Sequence, residues 1–223
     1  MTFDNLFLTG CVRTDITYSE LLQCELHVQA LDAFMELQKQ GASAGFNVQI
    51  ASAYRDFDRQ RQIWNAKASG QRPVRDRQGK PLDITVLSEW ETVQAILNWS
   101  ALPGASRHHW GTDLDVFDAD CLPLDYHLQL TQAEYQTGVQ VNFNRWLDNY
   151  LQASDARFFR PYTVDCGGVA PEPWHISYQP LAQQFQMALT PAALHSAIAT
   201  ADILLKSTVL THLDTIYHRY VQI

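Results

Sequence analysis

Apolar residues change their spacing several times along the chain, and each change predicts a different element. Thr17-Tyr18-Ser19-Glu20 has the form of a capping box. Leu21, Cys24, Val28, Leu31 and Met35 follow at helical spacing until Gly41, which predicts one long amphipathic helix with His27 on it. Phe46-Asn47-Val48-Gln49-Ile50 then alternates with a period of two, and this strand delivers Ser52-Ala53-Tyr54-Arg55 at its end. Asp56 is placed to cap a helix over residues 57–68, with Gln60, Ile63 and Trp64 on one face. Residues 69–83, rich in Gly, Pro, Lys and Arg, read as a polar loop, either a mobile lid or, the reading favoured here, surface decoration.

A second capping box, Ser88-Glu89-Trp90-Glu91, opens a helix to about residue 100, broken by Pro103-Gly104. Residues 112–117 have strand character, 119–124 a turn, and 142–152 a helix on which Phe143, Trp146, Leu147 and Tyr150 recur at packing distance. Strands are expected over 158–164 and 174–178, with Gly167-Gly168 turning the chain between them. From Pro180 onward the pattern is helical, with Thr190-Pro191 as cap and first position and Leu194, Ile198 and Leu205 in the apolar set. These readings describe helices mixed with short strands, organised as one domain over residues 1–179 and a helical extension, 180–223, packed on it.

Composition narrows the function classes. The 223 residues are 46% hydrophobic and 18% charged, an ordinary globular balance. A formal charge of −8 and the lack of any basic run argue against nucleic acid or an anionic wall polymer as a partner surface. The acidic start Met1-Thr2-Phe3-Asp4 does not resemble a secretory signal, and no apolar stretch suits a membrane span. Cys11, Cys24, Cys121 and Cys166 show no paired spacing, which suits reduced thiols, so the expected compartment is the cytoplasm.

The candidate chemistry lies in Ser106-Arg107-His108-His109-Trp110-Gly111-Thr112-Asp113-Leu114-Asp115 and in Glu172-Pro173-Trp174-His175. A histidine and a carboxylate on either side of Gly111 can meet on one cation if the glycine turns the chain, with His175 as a third ligand. Glu172 would then be a base that does not bind metal, acting on water at an open coordination position. Two ambiguities stand at this level. Asp113 and Asp115 share a strand face, so either acid could bind, and His109 competes with His108.

The pattern Ser106-x-His108-x-x-Gly111-x-x-x-Asp115, with Glu172-x-Trp174-His175 after it and Ser52-Ala53-Tyr54-Arg55 before it, resembles the VanY/VanX-type zinc D-Ala carboxypeptidases and dipeptidases. The resemblance implies Zn2+ on His108, Asp115 and His175, Glu172 as base, and Arg55 as a contact for substrate or oxyanion. Ser106 and Gln60 join Arg55 as substrate contacts. It departs at Asp113, where the family usually has a small residue. The implied fold is α+β, a small, mainly antiparallel sheet with flanking helices of the Hedgehog/D-Ala-D-Ala-peptidase type. The implied substrates are peptidoglycan peptides. Free D,D-cleavage inside a cell would destroy its own pentapeptide precursor, so an L,D-carboxypeptidase acting on recycled tetrapeptides is favoured. A D,D-carboxypeptidase or a phage-type endopeptidase is the enzymatic alternative. A zinc-fold binding protein, as in the Hedgehog signalling domain, is the non-enzymatic one.

Overall fold

A computed structural model describes residues 3–222. In chain order the elements are α1 (Asn5–Leu8), the hairpin β1 (Ile16–Ser19) and β2 (Cys24–His27), α2 (Val28–Ser43), β3 (Val48–Ser52) and α3 (Phe57–Ala68). A small hairpin, β4 (Val74–Arg75) and β5 (Pro81–Leu82), precedes α4 (Glu89–Leu97) and the central strand β6 (Asp113–Asp118). Then come α5 (Gln132–Gln136), α6 (Val141–Leu151), β7 (Phe158–Phe159) and β8 (His175–Tyr178). The chain closes with α7 (Gln179–Ala188), α8 (Pro191–Thr200), α9 (Lys206–Thr211) and α10 (Leu213–Ile216).

Four strands form one antiparallel sheet in the order β3-β6-β8-β7. Alternation along its two middle strands separates apolar from polar side chains. Leu114, Val116, Ile176 and Tyr178 are buried in a core with Phe34 and Leu37 of α2 and Phe143 and Leu147 of α6. Asp113, Asp115, His175 and Ser177 occupy the alternate positions, paired as Asp113 with Ser177 and Asp115 with His175. Ser52 pairs with Asp115 from the other side, after a bulge beyond Ile50. One rung of the sheet thus holds Ser52, Asp115 and His175 abreast.

A second core joins Trp64 of α3 and Ile96 and Leu97 of α4 to Phe185, Leu194, Ile198, Val209 and Ile216 of the last helices. The back of α3 is also hydrogen-bonded to the segment before α9. Trp64 Nε1 donates to the Leu204 carbonyl (3.0 Å), Asn65 Nδ2 to that of Asp202 (3.1 Å), and the Leu204 amide to Asn65 Oδ1 (2.9 Å).

The expected helix over residues 17–41 is instead a hairpin followed by a shorter helix. Asp15 and Gln23 adopt positive φ (56° and 53°), each turning the chain just before one strand of the hairpin, and Ser19 accepts from the Leu22 amide (3.3 Å) as a turn residue. The apparent stripe is not the buried one. Leu21, Val28 and Met35 are exposed, while Ala30, Ala33, Phe34, Leu37 and Gly41 form the inward face of α2. His27 is the N-cap, its Nδ1 accepting from the Gln29 amide (3.2 Å). The expected strand over 158–164 shrinks to Phe158–Phe159, the stretch that pairs with β8. Asp56 and Ser88 cap their helices as the sequence predicts, Ser88 with the full capping box.

Candidate metal centre

Three chain segments converge at the polar face of the sheet. The turn Arg107–Trp110 is closed by Gly111 in the left-handed region, φ +66°. A Cβ there would lie 2.5 Å from Ile16 Cδ1 and 2.7 Å from the His27 amide nitrogen, so both backbone conformation and space exclude a side chain. That turn aims His108 back over β6.

His108, Asp115 and His175 are all buried, and each offers a ligand atom within 4.8 Å of the others. His108 Nδ1 lies 2.8 Å from the Ala53 carbonyl, which requires the proton on Nδ1 and leaves the Nε2 lone pair free, 3.5 Å from Asp115 Oδ2. His175 Nε2 lies 2.9 Å from Asp113 Oδ1, and its Nδ1 faces Asp115 Oδ1 at 3.4 Å and Glu172 Oε2 at 3.0 Å. Asp115 Oδ1 is buried with no hydrogen-bond partner. Two imidazoles with committed far nitrogens, around a carboxylate oxygen with nothing to bind, form a donor set that fits a zinc ion.

Electrostatics separate the two aspartates. Burial raises the Asp115 pKa to about 6, and Glu172 adds to the effect. For Asp113, burial is outweighed by the Arg107 guanidinium and by His175, which hold the carboxyl well below the ordinary range. Arg107 Nε donates to Asp113 Oδ1 (2.7 Å), while Thr112 and Ser177 hydroxyls donate to Oδ2 (2.8 and 3.0 Å). Asp113 is therefore an orienting partner of His175, with both its oxygens already engaged. Burial likewise opposes protonation of His175, but its bonds to Asp113 and Glu172 prevail and raise its pKa to about 9.

His109 is occupied elsewhere. Its Nε2 accepts from the Gly104 amide (3.1 Å), so Nδ1 carries the proton donated to the Arg55 carbonyl (2.6 Å). Burial lowers its pKa to about 4, which keeps it a neutral strut that positions Arg55.

A cleft of about 780 Å³ opens over the three ligands, and Arg55, Ser106 and Glu172 line it. Arg55 Nε has no protein partner, and one terminal nitrogen donates to Gln60 Oε1 (3.1 Å). Gln60, expected to touch substrate, lies wholly buried beneath Arg55 and outside the cleft lining, with its amide donating to the Ala101 carbonyl (2.7 Å). Its position buttresses the arginine.

Two walls of the cleft are absent from the sequence expectations. Gln129 to Ala133 form one, at the start of α5, where the capping box Thr131-x-x-Glu134 was a legible signal. Tyr162 forms part of the other, its ring edge-on to His175 at 5.1 Å, and no spacing marks it. Residues 69–83 are not plain surface decoration. Arg72, Pro73, Arg75, Gln78 and Gly79 line the cleft, and the hairpin is clamped by Trp99 Nε1 on the Asp76 carbonyl (2.8 Å) and by Arg77 on Asn98 and Gly168 (2.8 and 2.9 Å).

Comparison with known proteins places this arrangement. Residues 23–181 match the family described as VanY: D-alanyl-D-alanine carboxypeptidase. Two proteins of Haemophilus influenzae, each called an uncharacterized protein, are 53% identical over 77 residues and 37% identical over 123 residues. The match covers 34% of this chain and 53% of the first relative, so the chain spans about half of that protein, and 54% of this chain and 92% of the second. Among solved structures, VanYB in complex with D-alanine-D-alanine is similar at TM-score 0.54 and 18% identity, covering 86% of this chain and 91% of that one. A mutant VanY D,D-pentapeptidase in complex with Zn(II) gives 0.52 and 19%, covering 88% and 90%. The LdcB LD-carboxypeptidase gives 0.51 and 18%, covering 86% and 80%.

Proposed function

Because the chain belongs to the VanY family of D-alanyl-D-alanine carboxypeptidases, we propose that it is a zinc peptidase that removes C-terminal D-alanine from peptidoglycan-derived peptides. The observation that carries this reading is the unpartnered Asp115 Oδ1 between two histidines oriented to receive a metal, with Glu172 alongside. His108, Asp115 and His175 would hold the zinc, which when bound supplies Lewis acidity and lowers the pKa of water at its open position to about 7.

The chain's own residues supply the remainder. Glu172 takes the proton from the attacking water and returns it to the departing amine. Arg55, fixed by Gln60 and by His109 on its backbone, lines the cleft and stabilises the developing oxyanion. Ser106, buried at the mouth of the His108 turn, is placed to contact the terminal residue. Asp113 holds the His175 ring so that Nδ1 faces the metal position.

The finer assignment is L,D-cleavage of tetrapeptides in the cytoplasm. Four unpaired thiols, two of them exposed, and the acidic composition suit a reducing interior, where cleavage of D-Ala-D-Ala would consume the cell's own wall precursor. The fold shared with an LD-carboxypeptidase is in keeping with this choice. The test is incubation of zinc-loaded protein, with and without chelator, with a muropeptide tetrapeptide and the matching pentapeptide. Chelator-sensitive loss of one alanine from the tetrapeptide alone is expected. Loss from the pentapeptide reassigns the enzyme as a D,D-carboxypeptidase, and loss from neither by folded, metal-loaded protein refutes both.

A further inference from the structure

The cleft does not share the charge of the chain. The protein carries a formal −8, yet Arg55, Arg59, Lys67, Arg72 and Arg75 all line the cleft that holds the metal ligands. Among the described residues none of these five has a carboxylate within salt-bridge distance, a property shared with six cations elsewhere, and what sets the five apart is that they face one concavity. In an acidic protein with carboxylates to spare, five cations left unpaired in one concavity are arranged for an anion that arrives from outside.

The wall is also fixed in place. Arg59, Ile63 and Lys67 follow one another at four-residue spacing along a single face of α3. Lys67 Nζ donates to Ser100 Oγ (2.6 Å), and Arg75 to the Gly79 carbonyl (2.7 Å), each leaving further N–H groups free. Arg75 is carried by the clamped β4–β5 hairpin, and Arg72 lies just before it, its amide donating to the Ala66 carbonyl of α3 (2.8 Å). Burial, reinforced by Arg72, lowers the Lys67 pKa to about 8, an effect that Glu172 only partly offsets.

We propose that Lys67, Arg72 and Arg75 form a second carboxylate subsite, distinct from the Arg55 contact. It would select peptides with an acidic group on the acyl side of the scissile bond, chiefly a penultimate diamino acid whose side chain ends in a carboxylate as well as an amine. This rests on the carboxypeptidase reading and specifies its substrate class. A lysine at the same position presents only an ammonium, which this wall repels, so the subsite discriminates by attraction and repulsion together. The expected preference is about tenfold or more, the scale of one charge-assisted hydrogen bond. It should weaken with added salt.

The test uses zinc-loaded full-length protein and four synthetic tetrapeptides. One carries the free side-chain carboxylate, one its amide, one lysine at that position, and one is amidated instead on the preceding glutamate. Turnover is followed on the wild type, and affinity is measured separately on Glu172→Gln, so that binding is read without cleavage. The free-carboxylate peptide should bind and turn over best. Lys67→Met and Arg72→Gln, made separately, should each narrow the acid-to-amide ratio several-fold. An effect confined to amidating the glutamate, with the acid, amide and lysine peptides equal, overturns the assignment to the penultimate side chain. Equal affinity for acid, amide and lysine peptides overturns the proposal, as do variants that weaken all peptides in proportion. So does a charge dependence that follows only the C-terminal carboxylate. Discriminating affinity without alanine release would instead defeat the carboxypeptidase reading and leave the subsite standing.

Discussion

Asparagine at position 113 removes a charge from the metal centre while leaving its shape. The Asp113 carboxylate receives Arg107 and His175 on one oxygen and the Thr112 and Ser177 hydroxyls on the other. An amide oxygen can keep the first pair, and hydroxyls can turn to accept from an amide nitrogen, so packing and most hydrogen bonds survive Asp113→Asn. Arg107 does not escape so easily, because the side chains of this ion pair are 4% and 0% exposed. Stranding one member of a buried pair costs about 3–5 kcal/mol. His175 is also deprived of the carboxylate that orients it, which lowers metal affinity by about 10–100-fold. Denaturant unfolding of metal-free protein measures the first loss, and chelator competition measures the second. Adding Arg107→Met to Asp113→Asn removes the stranded charge and should restore more than half of the missing stability with no recovery of metal affinity. The wild-type carboxylate is held below its ordinary range, so its stabilising contribution is present above pH ~4 and is lost as pH falls further. The stability gap between wild type and variant should shrink accordingly on acidification. A gap below about 1 kcal/mol at neutral pH, or a double variant no more stable than the single, refutes the reasoning.

Three further outcomes are expected. Glu172→Gln should lower kcat by about 10²–10⁴-fold while one equivalent of zinc is retained, checked by metal analysis of the dialysed protein; loss of metal with activity would make Glu172 a ligand instead. Gly111→Ala should destabilise by more than the roughly 1–2 kcal/mol of a left-handed alanine, because its Cβ also meets Ile16 and the His27 backbone, and a thermal shift within error of wild type would contradict this. Lys67, with its pKa lowered to about 8, is charged below that value and neutral above it. The preference for acidic over amidated peptides should therefore be full at pH 7 and decline as pH rises through 8, with the break moved upward in the bound state; a ratio flat to about pH 10 would remove Lys67 from the subsite.

His108, Asp115 and His175, which the structure brings within reach of one cation, were singled out through the family resemblance, because spacing around the glycine alone left Asp113 and His109 as competitors. Helices closed by side-chain caps, such as those after Asp56 and Ser88, were legible directly, since the cap is local chemistry. The first hairpin was not. Its helical spacing of apolar residues is genuine in sequence, but pairing between Ile16–Ser19 and Cys24–His27 and the turn at Gln23 prevail over it, and local periodicity contains neither. Asp113 illustrates a different limit. A strand puts it on the same face as Asp115, and the three-dimensional placement of Arg107 and His175 engages one acid while Asp115 Oδ1 is left without a partner. The cleft walls were the least visible part, because residues 69–83 and 129–133 meet across the site from distant places in the chain.

The hydrogen bonds that tie the back of α3 to residues 202–204 give the end of the chain an influence on the cleft that it does not exert by touching it. The family match ends at residue 181, yet the helix whose front presents Arg59 and Lys67 to the cleft is shored from behind by Asp202 and Leu204. Peptide preference can then drift through substitutions in this tail, a turn of α3 at a time, while the ion and the bond-breaking groups on the sheet stay as they are. The groups that would break the bond and the support for the wall that would choose the peptide are thus carried by different parts of the same polypeptide.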